Sequence, residues 1–196
     1  MISAIAPLPK PTRTHIPGEV GIWIFILGDM FVFAAFFAVY TFYYRQAPGL
    51  FSSSQARLDI NYGLINTFLL LTSSWFVVLG VNAVRCGQSR TSARLFALAL
   101  LCGLGFAGLK IVEYAAKVAA GINPMSNDFF MYYFILTGIH LAHVMIGMVL
   151  LVVLTRAAAR GAARSGDLPL LEAGACYWHM VDILWIVLFC LLYLWK

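Results

Sequence analysis

Charge is the first thing this sequence lacks. Only 11% of its 196 residues are Asp, Glu, Lys or Arg, where a soluble domain carries roughly 25%. Hydrophobic residues make up 62%, more than a globule of this size can bury, because small domains have too much surface for their volume. The imbalance argues against a soluble enzyme and for an integral membrane protein. Paired cysteines are missing as well. Cys86, Cys102, Cys176 and Cys190 form no C-x-x-C pair and sit in or beside apolar runs, so they read as small core residues. No P-loop, hydrolase elbow or dinucleotide fingerprint occurs. The net charge of +5 does not mark nucleic acid as a partner, since the basic residues lie in short loops where membrane topology accounts for them. The opening MISAIAPLPKPTRTHIPGE has four prolines and no long apolar core. It reads as a cytoplasmic tail over residues 1–18 and not as a signal peptide, with a transmembrane domain over 19–196.

What the sequence does have is five apolar runs, about Ile22–Tyr44, Leu64–Val84, Leu95–Val118, Phe129–Leu154 and Ala173–Trp195. Each is long enough to cross the roughly 30 Å hydrocarbon layer as a helix. The stretches APGLFSSS, CGQSRTS, GINPMSND and RGAARSGDLP separate them as breakers, and such short links make consecutive helices antiparallel neighbours. The expected fold is all-α, with five transmembrane helices. Two signals orient it. Lys10, Arg13, Arg85, Arg90, Arg94, Arg156, Arg160 and Arg164 fall on one side, against Arg45, Arg57, Lys117 and Lys196 on the other. The positive-inside rule then puts the N-terminus in the cytoplasm and the C-terminus outside. Tyr40, Tyr43, Tyr44, Tyr62, Tyr114, Tyr132, Tyr133 and Tyr193 collect at the outer ends, and only Tyr177 falls at an inner end. An aromatic belt explains that bias, with each hydroxyl reaching interfacial water. The plasma membrane of a bacterium suits such a chain.

The informative residues are those that do not belong in lipid, where an ionisable group costs at least about 2.5–3.5 kcal/mol. At 1.5 Å per residue, Asp29 lies roughly 11 Å from the cytoplasmic edge and His179 and Asp182 roughly 8–12 Å, so the three are expected to share one polar layer. His140 and His143 lie near the middle of the fourth run. The pairs 140/143 and 179/182 are three apart, which puts each pair on one helix face. The plain reading of His140 and His143 is two neutral histidines pointing into the bundle and making interhelical hydrogen bonds. Metal or haem ligation and a proton-linked or lipid-headgroup role are the alternatives. Lys110 and Glu113 read as an ion pair near the outer edge, with the lysine snorkelling. Trp23, Trp75, Trp178 and Trp185 read as packing and interface residues, and Gly103, Gly105 and Gly108 as a close helix–helix contact. With four histidines in the chain and His15 in the tail, there are too few ligands for a multi-metal centre. No catalytic residue and no metal ligand is assigned. A small transporter or proton pathway, or a stand-alone b-type haem protein, remain as rival readings.

The motifs carry a resemblance. YWHMVDILWIVLF, through Tyr177, Trp178, His179, Val181, Asp182 and Trp185, resembles the last-helix signature of subunit III of the haem–copper oxidases. TGIHLAHVMIGM is similar to a second signature of that family, through Thr137, Gly138, His140, His143, Val144 and Gly147. Glu113 and Tyr114 match its Glu-Tyr segment. The likeness runs from about Pro17 to the C-terminus. Asp29 in LGDMFVFAAFF stands where the family usually has a glutamate, and PGEVGIWIFILGDM looks more like the branch associated with nitric oxide reductase. The resemblance implies a non-catalytic accessory subunit with no haem or copper of its own. It implies a catalytic haem-bearing partner that holds haem and copper, an oxidase or a nitric oxide reductase. It implies bound phospholipid and a role in sustaining electron transport and proton uptake. Asp29, Glu113, His140, His143, His179 and Asp182 are the buried polar, lipid-linked or proton-linked candidates.

Overall fold

The computed structural model describes residues 20–161 and 168–195. The expected tail with Lys10, Arg13 and His15 lies outside the described residues, as do Arg164 and Lys196. Six helices follow one another: α1 (Val20–Gln46), α2 (Pro48–Gln55), α3 (Ile60–Arg85), α4 (Ser89–Ala119), α5 (Asp128–Ala159) and α6 (Leu168–Phe189). α6 continues as a π-helical turn, Cys190–Leu194. No strand occurs among the described residues. Five of the helices are long and apolar enough to span a membrane.

The ends of these helices are written locally. Asp59 accepts a hydrogen bond from the Asn61 N–H at the start of α3, and Asn127 accepts one from the Phe130 N–H at the start of α5. Each supplies a partner that the first turn of a helix lacks. Gly87 and Gly121 follow α3 and α4 with φ of 74°, the left-handed conformation that closes a helix and strains any residue with a Cβ. Gln88 N–H then reaches back to Ala83 O, and Ile122 N–H to Lys117 O.

The sequence suggests a break at APGLFSSS, but the structure makes most of it a helix. Pro48 sits in the first turn of α2, where no amide hydrogen bond is lost. Phe51 anchors the helix, buried against Tyr40, Tyr44 and Phe129 at ring distances of 5.6, 5.7 and 5.8 Å. Boundaries also move outwards: α4 begins at Ser89 and α6 at Leu168.

α4 packs between α3 and α5, and α6 packs against both α5 and α3, so these four close a bundle. α1 stands beside it and touches α6, α5 and α2 lightly. The contrast is large: 61% of the apolar window of α6 is buried against 11% of that of α1. α6 is the axle and α1 an outrigger. Because lipid is as apolar as leucine, such helices are held by close packing and by polar contacts. Ser73 Oγ donates to Ala99 O at 2.9 Å and Ser92 Oγ to Gly80 O at 2.8 Å, stitching α3 to α4.

Trp178 provides the main close contact. It is 1% exposed and enters two notches, one at Gly103 on α4 and one at Gly147 on α5. Of the three glycines expected at a helix contact, Gly103 faces Trp178 and Met148, and Gly105 faces Leu69. Gly108 has nothing within 4 Å of a would-be Cβ, so it makes no close contact. The cysteines are not core residues: Cys86 and Cys190 are exposed, Cys102 and Cys176 are half-buried, and all four are free. The tyrosine belt is also only partial. Tyr40, Tyr133 and Tyr193 are buried, and their hydroxyls bond inside the protein.

A Cβ at Gly147 would lie 2.7 Å from Trp178 Cε3, whereas one at Gly138 meets nothing within 4 Å. Gly147→Ala is expected to destabilise the fold by about 1–3 kcal/mol through overpacking, and Gly138→Ala to leave it unchanged or slightly firmer. Thermal unfolding of both variants in one detergent checks this; equal midpoints would show that Trp178 is not wedged.

Candidate functional site

The six polar candidates fall into three groups along the bundle. The first surrounds Lys110 on α4. Its side chain is fully buried and Glu113 is 2% exposed. Lys110 Nζ donates to Glu113 Oε2 at 2.9 Å, to Tyr193 OH at 3.0 Å and to Tyr133 OH at 3.4 Å. Tyr193 OH donates to Glu113 Oε1 at 2.7 Å. Four rings wall the ammonium: Trp185 at 4.9 Å, Tyr133 at 5.0 Å, Tyr193 at 5.5 Å and Tyr114 at 5.7 Å. Tyr114 OH is 2.6 Å from Thr137 Oγ1, which itself donates to Tyr133 O. The snorkelling expected of Lys110 does not occur. The i,i+3 spacing does pair it with Glu113, but α5 and α6 close over the pair. Three hydrogen bonds and the faces of aromatic rings replace interfacial water.

The second group joins α1 to α5. His143 Nε2 lies 3.2 Å from Asp29 Oδ1, and His143 Nδ1 donates to Ile139 O at 2.8 Å. The two ring nitrogens thus face different partners, the backbone of α5 and the Asp29 carboxyl of α1. Phe33 packs edge-on to the His143 ring at 5.4 Å, and Tyr177 OH donates to His143 O at 3.2 Å.

The third group joins α3 to α6. Ser74 Oγ is hydrogen-bonded to His179 Nδ1, and Asp182 lies beside the same serine. The layer expected from Asp29, His179 and Asp182 is thus divided. Asp29 turns to His143 on α5, while His179 and Asp182 turn to α3 on another side of α6. His140 belongs to none of these groups. It is fully buried, donates from Nε2 to Val181 O at 3.1 Å, and packs against Trp185 and Phe106 at 5.3 and 5.6 Å. His140 and His143, though three apart, serve different neighbours. Among the described residues no three His, Cys, Asp or Glu side chains converge in a metal-sized group.

One feature was not read from the sequence. Arg85 Nη2 bonds Glu172 Oε1 at 2.8 Å, at the mouth of a groove of about 170 Å³ between α3 and α6. Val78, Val81, Asn82, Ala175, Cys176 and His179 line the rest. The signal was there: Glu172, Cys176 and His179 recur at i, i+4 and i+7, one stripe of a helix.

Lys110→Met is expected to cost about 3–5 kcal/mol, because it leaves Glu113 buried without its cation. Adding Glu113→Leu should recover most of that loss. Equilibrium unfolding of the single and double variants decides it; a double variant weaker than the single would show that the two side chains do not act as a pair.

The profile of cytochrome c oxidase subunit III matches residues 15–196. Proteins described as probable quinol oxidase subunit 3 from Staphylococcus aureus (strain USA300) and Staphylococcus epidermidis (strain RP62A) are each 30% identical over 188 residues, covering 93% of this chain and 92% of theirs. With a match over nearly the whole chain and five helices fit to span a membrane, the protein belongs to the subunit III family of the haem–copper oxidases, the multi-pass, non-catalytic membrane subunit of those bacterial complexes.

Proposed function

We propose that this chain is the accessory subunit of a quinol-fed terminal oxidase, packed against a haem-bearing catalytic subunit, seating phospholipid and sustaining electron transport and proton uptake. Haem and copper belong to the partner in this reading. The observation that carries it is how the histidines within the spans are employed. His140 bonds Val181 O, His143 bonds Asp29 and Ile139 O, and His179 bonds Ser74. Each fastens one helix to another or to its own backbone. The relatives named quinol oxidase subunit 3 support oxygen reduction with a quinol donor. Asp29, in the place of the usual glutamate, and the opening around it favour a second reading, in which the partner is a nitric oxide reductase.

Purification of the tagged chain in mild detergent from its native membrane tests the proposal. A co-purifying haem-bearing protein with quinol-dependent oxygen uptake is expected. Nitric oxide consumption in its place selects the second reading. A colourless chain that comes down alone, or one that itself carries haem, overturns both.

The orientation is part of the proposal, with the α3–α4 loop in the cytoplasm. Arg85, Arg90 and Arg94 support it. Cys86, exposed at that loop, is the natural reporter. In a variant with the other three cysteines replaced by serine or alanine, a membrane-impermeant maleimide should label Cys86 only after permeabilisation. Labelling of intact cells would reverse the orientation.

A further inference from the structure

We propose that the groove between α3 and α6 binds the head group of a membrane quinol or quinone, holding it without electron transfer. The inference rests on the reading of the chain as a subunit of a quinol-fed complex, and it adds a site in this chain itself.

The groove is built from two helix stripes. α3 contributes Val78, Val81, Asn82 and Arg85; α6 contributes Glu172, Ala175, Cys176 and His179. Its inner end is His179. The Nδ1 atom of that ring is occupied by Ser74, so Nε2 is left without a partner among the described residues. Its other end carries Asn82, whose side chain is exposed and has no partner among the described residues. Among the described residues, two polar groups of this groove therefore have no partner. At the His179 end that arrangement is costly in hydrocarbon, and a ligand presenting one polar atom there and a second to Asn82 at the interface removes the cost.

Spacing and charge indicate which ligand. Ser74, at the level of His179, is eight residues from Asn82, about 12 Å along α3. A six-membered ring with para oxygens and a hydrogen bond of about 2.9 Å at each end is of that order of length, so the groove is long enough to take one. Val78, Val81 and Ala175 supply apolar walls between the ends. Among the described residues Arg85 is the one cation lining the groove, and Glu172 engages it at 2.8 Å, which offsets its charge toward a phosphate. His179 lies seven residues, about 10 Å, further along α6 than Glu172, below the level at which a phospholipid head group normally sits. A neutral ring with two oxygens and an isoprenoid tail leaving sideways into lipid matches all of this. The head group is retained in the redox state in which it arrives.

The test uses the full chain in phosphatidylcholine nanodiscs with a tritiated, short-tailed azidoquinone as the probe. After illumination, saturable label is expected on peptides covering residues 74–85 and 172–182. An unlabelled short-tailed quinone should displace it, and phosphatidylglycerol should not. Val78→Trp, which fills the groove from a position 44% exposed, should lower labelling more than about tenfold. Asn82→Leu removes one hydrogen bond and should weaken half-saturation about fivefold. Both changes lie on the outer face, and unaltered thermal midpoints confirm that the variants fold. Label that does not saturate, that spreads over α1 and α5, that survives Val78→Trp, or that phosphatidylglycerol displaces overturns the proposal. Because the probe reads the chain alone, lost labelling with an intact haem-bearing partner sinks the groove and spares the complex. Retained labelling with no such partner does the reverse.

Discussion

The ammonium group of Lys110 has no route to water, and much of the bundle is arranged around that constraint. A lone cation in hydrocarbon is untenable, so two other helices and a carboxylate are brought to it. Glu113 comes from its own helix, Tyr133 from α5 and Tyr193 from the π-helical turn after α6. Each bond also fixes the depth and rotation of the helix that supplies it. A purely apolar seam has many nearly equal packings. A buried ion pair with tyrosine partners has far fewer, and it excludes them by making the alternatives leave a charge unmet.

The same logic explains why polar residues in this protein act as fasteners. Asp29 reaches His143 across the thin contact between α1 and the bundle, and Ser74 and His179 tie α3 to α6. Tyr40 OH adds a bond from α1 to Leu191 O at 3.3 Å, while exposed aromatic side chains such as Phe25, Phe31 and Phe42 cover much of the rest of α1. For a non-catalytic subunit of a haem–copper oxidase this is coherent. Most groups that could ligate or relay hold helices together, and the faces left to lipid or to a partner are largely apolar.

Much of this was legible in the sequence, for identifiable reasons. Spanning helices announce themselves by unbroken hydropathy, and Lys110–Glu113 by their separation of three. What the sequence did not show was who completes each group. Tyr193 stands 83 residues from Lys110 and His143 114 residues from Asp29, and no local pattern encodes such meetings. Depth misled as well. Depth was the ground for grouping Asp29, His179 and Asp182, but height says nothing of which side of α6 a residue faces. Pro48, Gly49 and the serines after them looked like a loop because turn chemistry and a proline-started helix share a vocabulary. Phe51, packed against Tyr40 and Phe129, decided the matter.

Trp178 is gripped by α4 at Gly103 and by α5 at Gly147. Interiors packed this closely do not deform by degrees. α6 therefore has no freedom to slide or roll by itself, and any push on its Glu172 end arrives at Tyr193 with little lost on the way. In mechanical terms the subunit is a strut, and a neighbour leaning on one end of it is braced by the whole length.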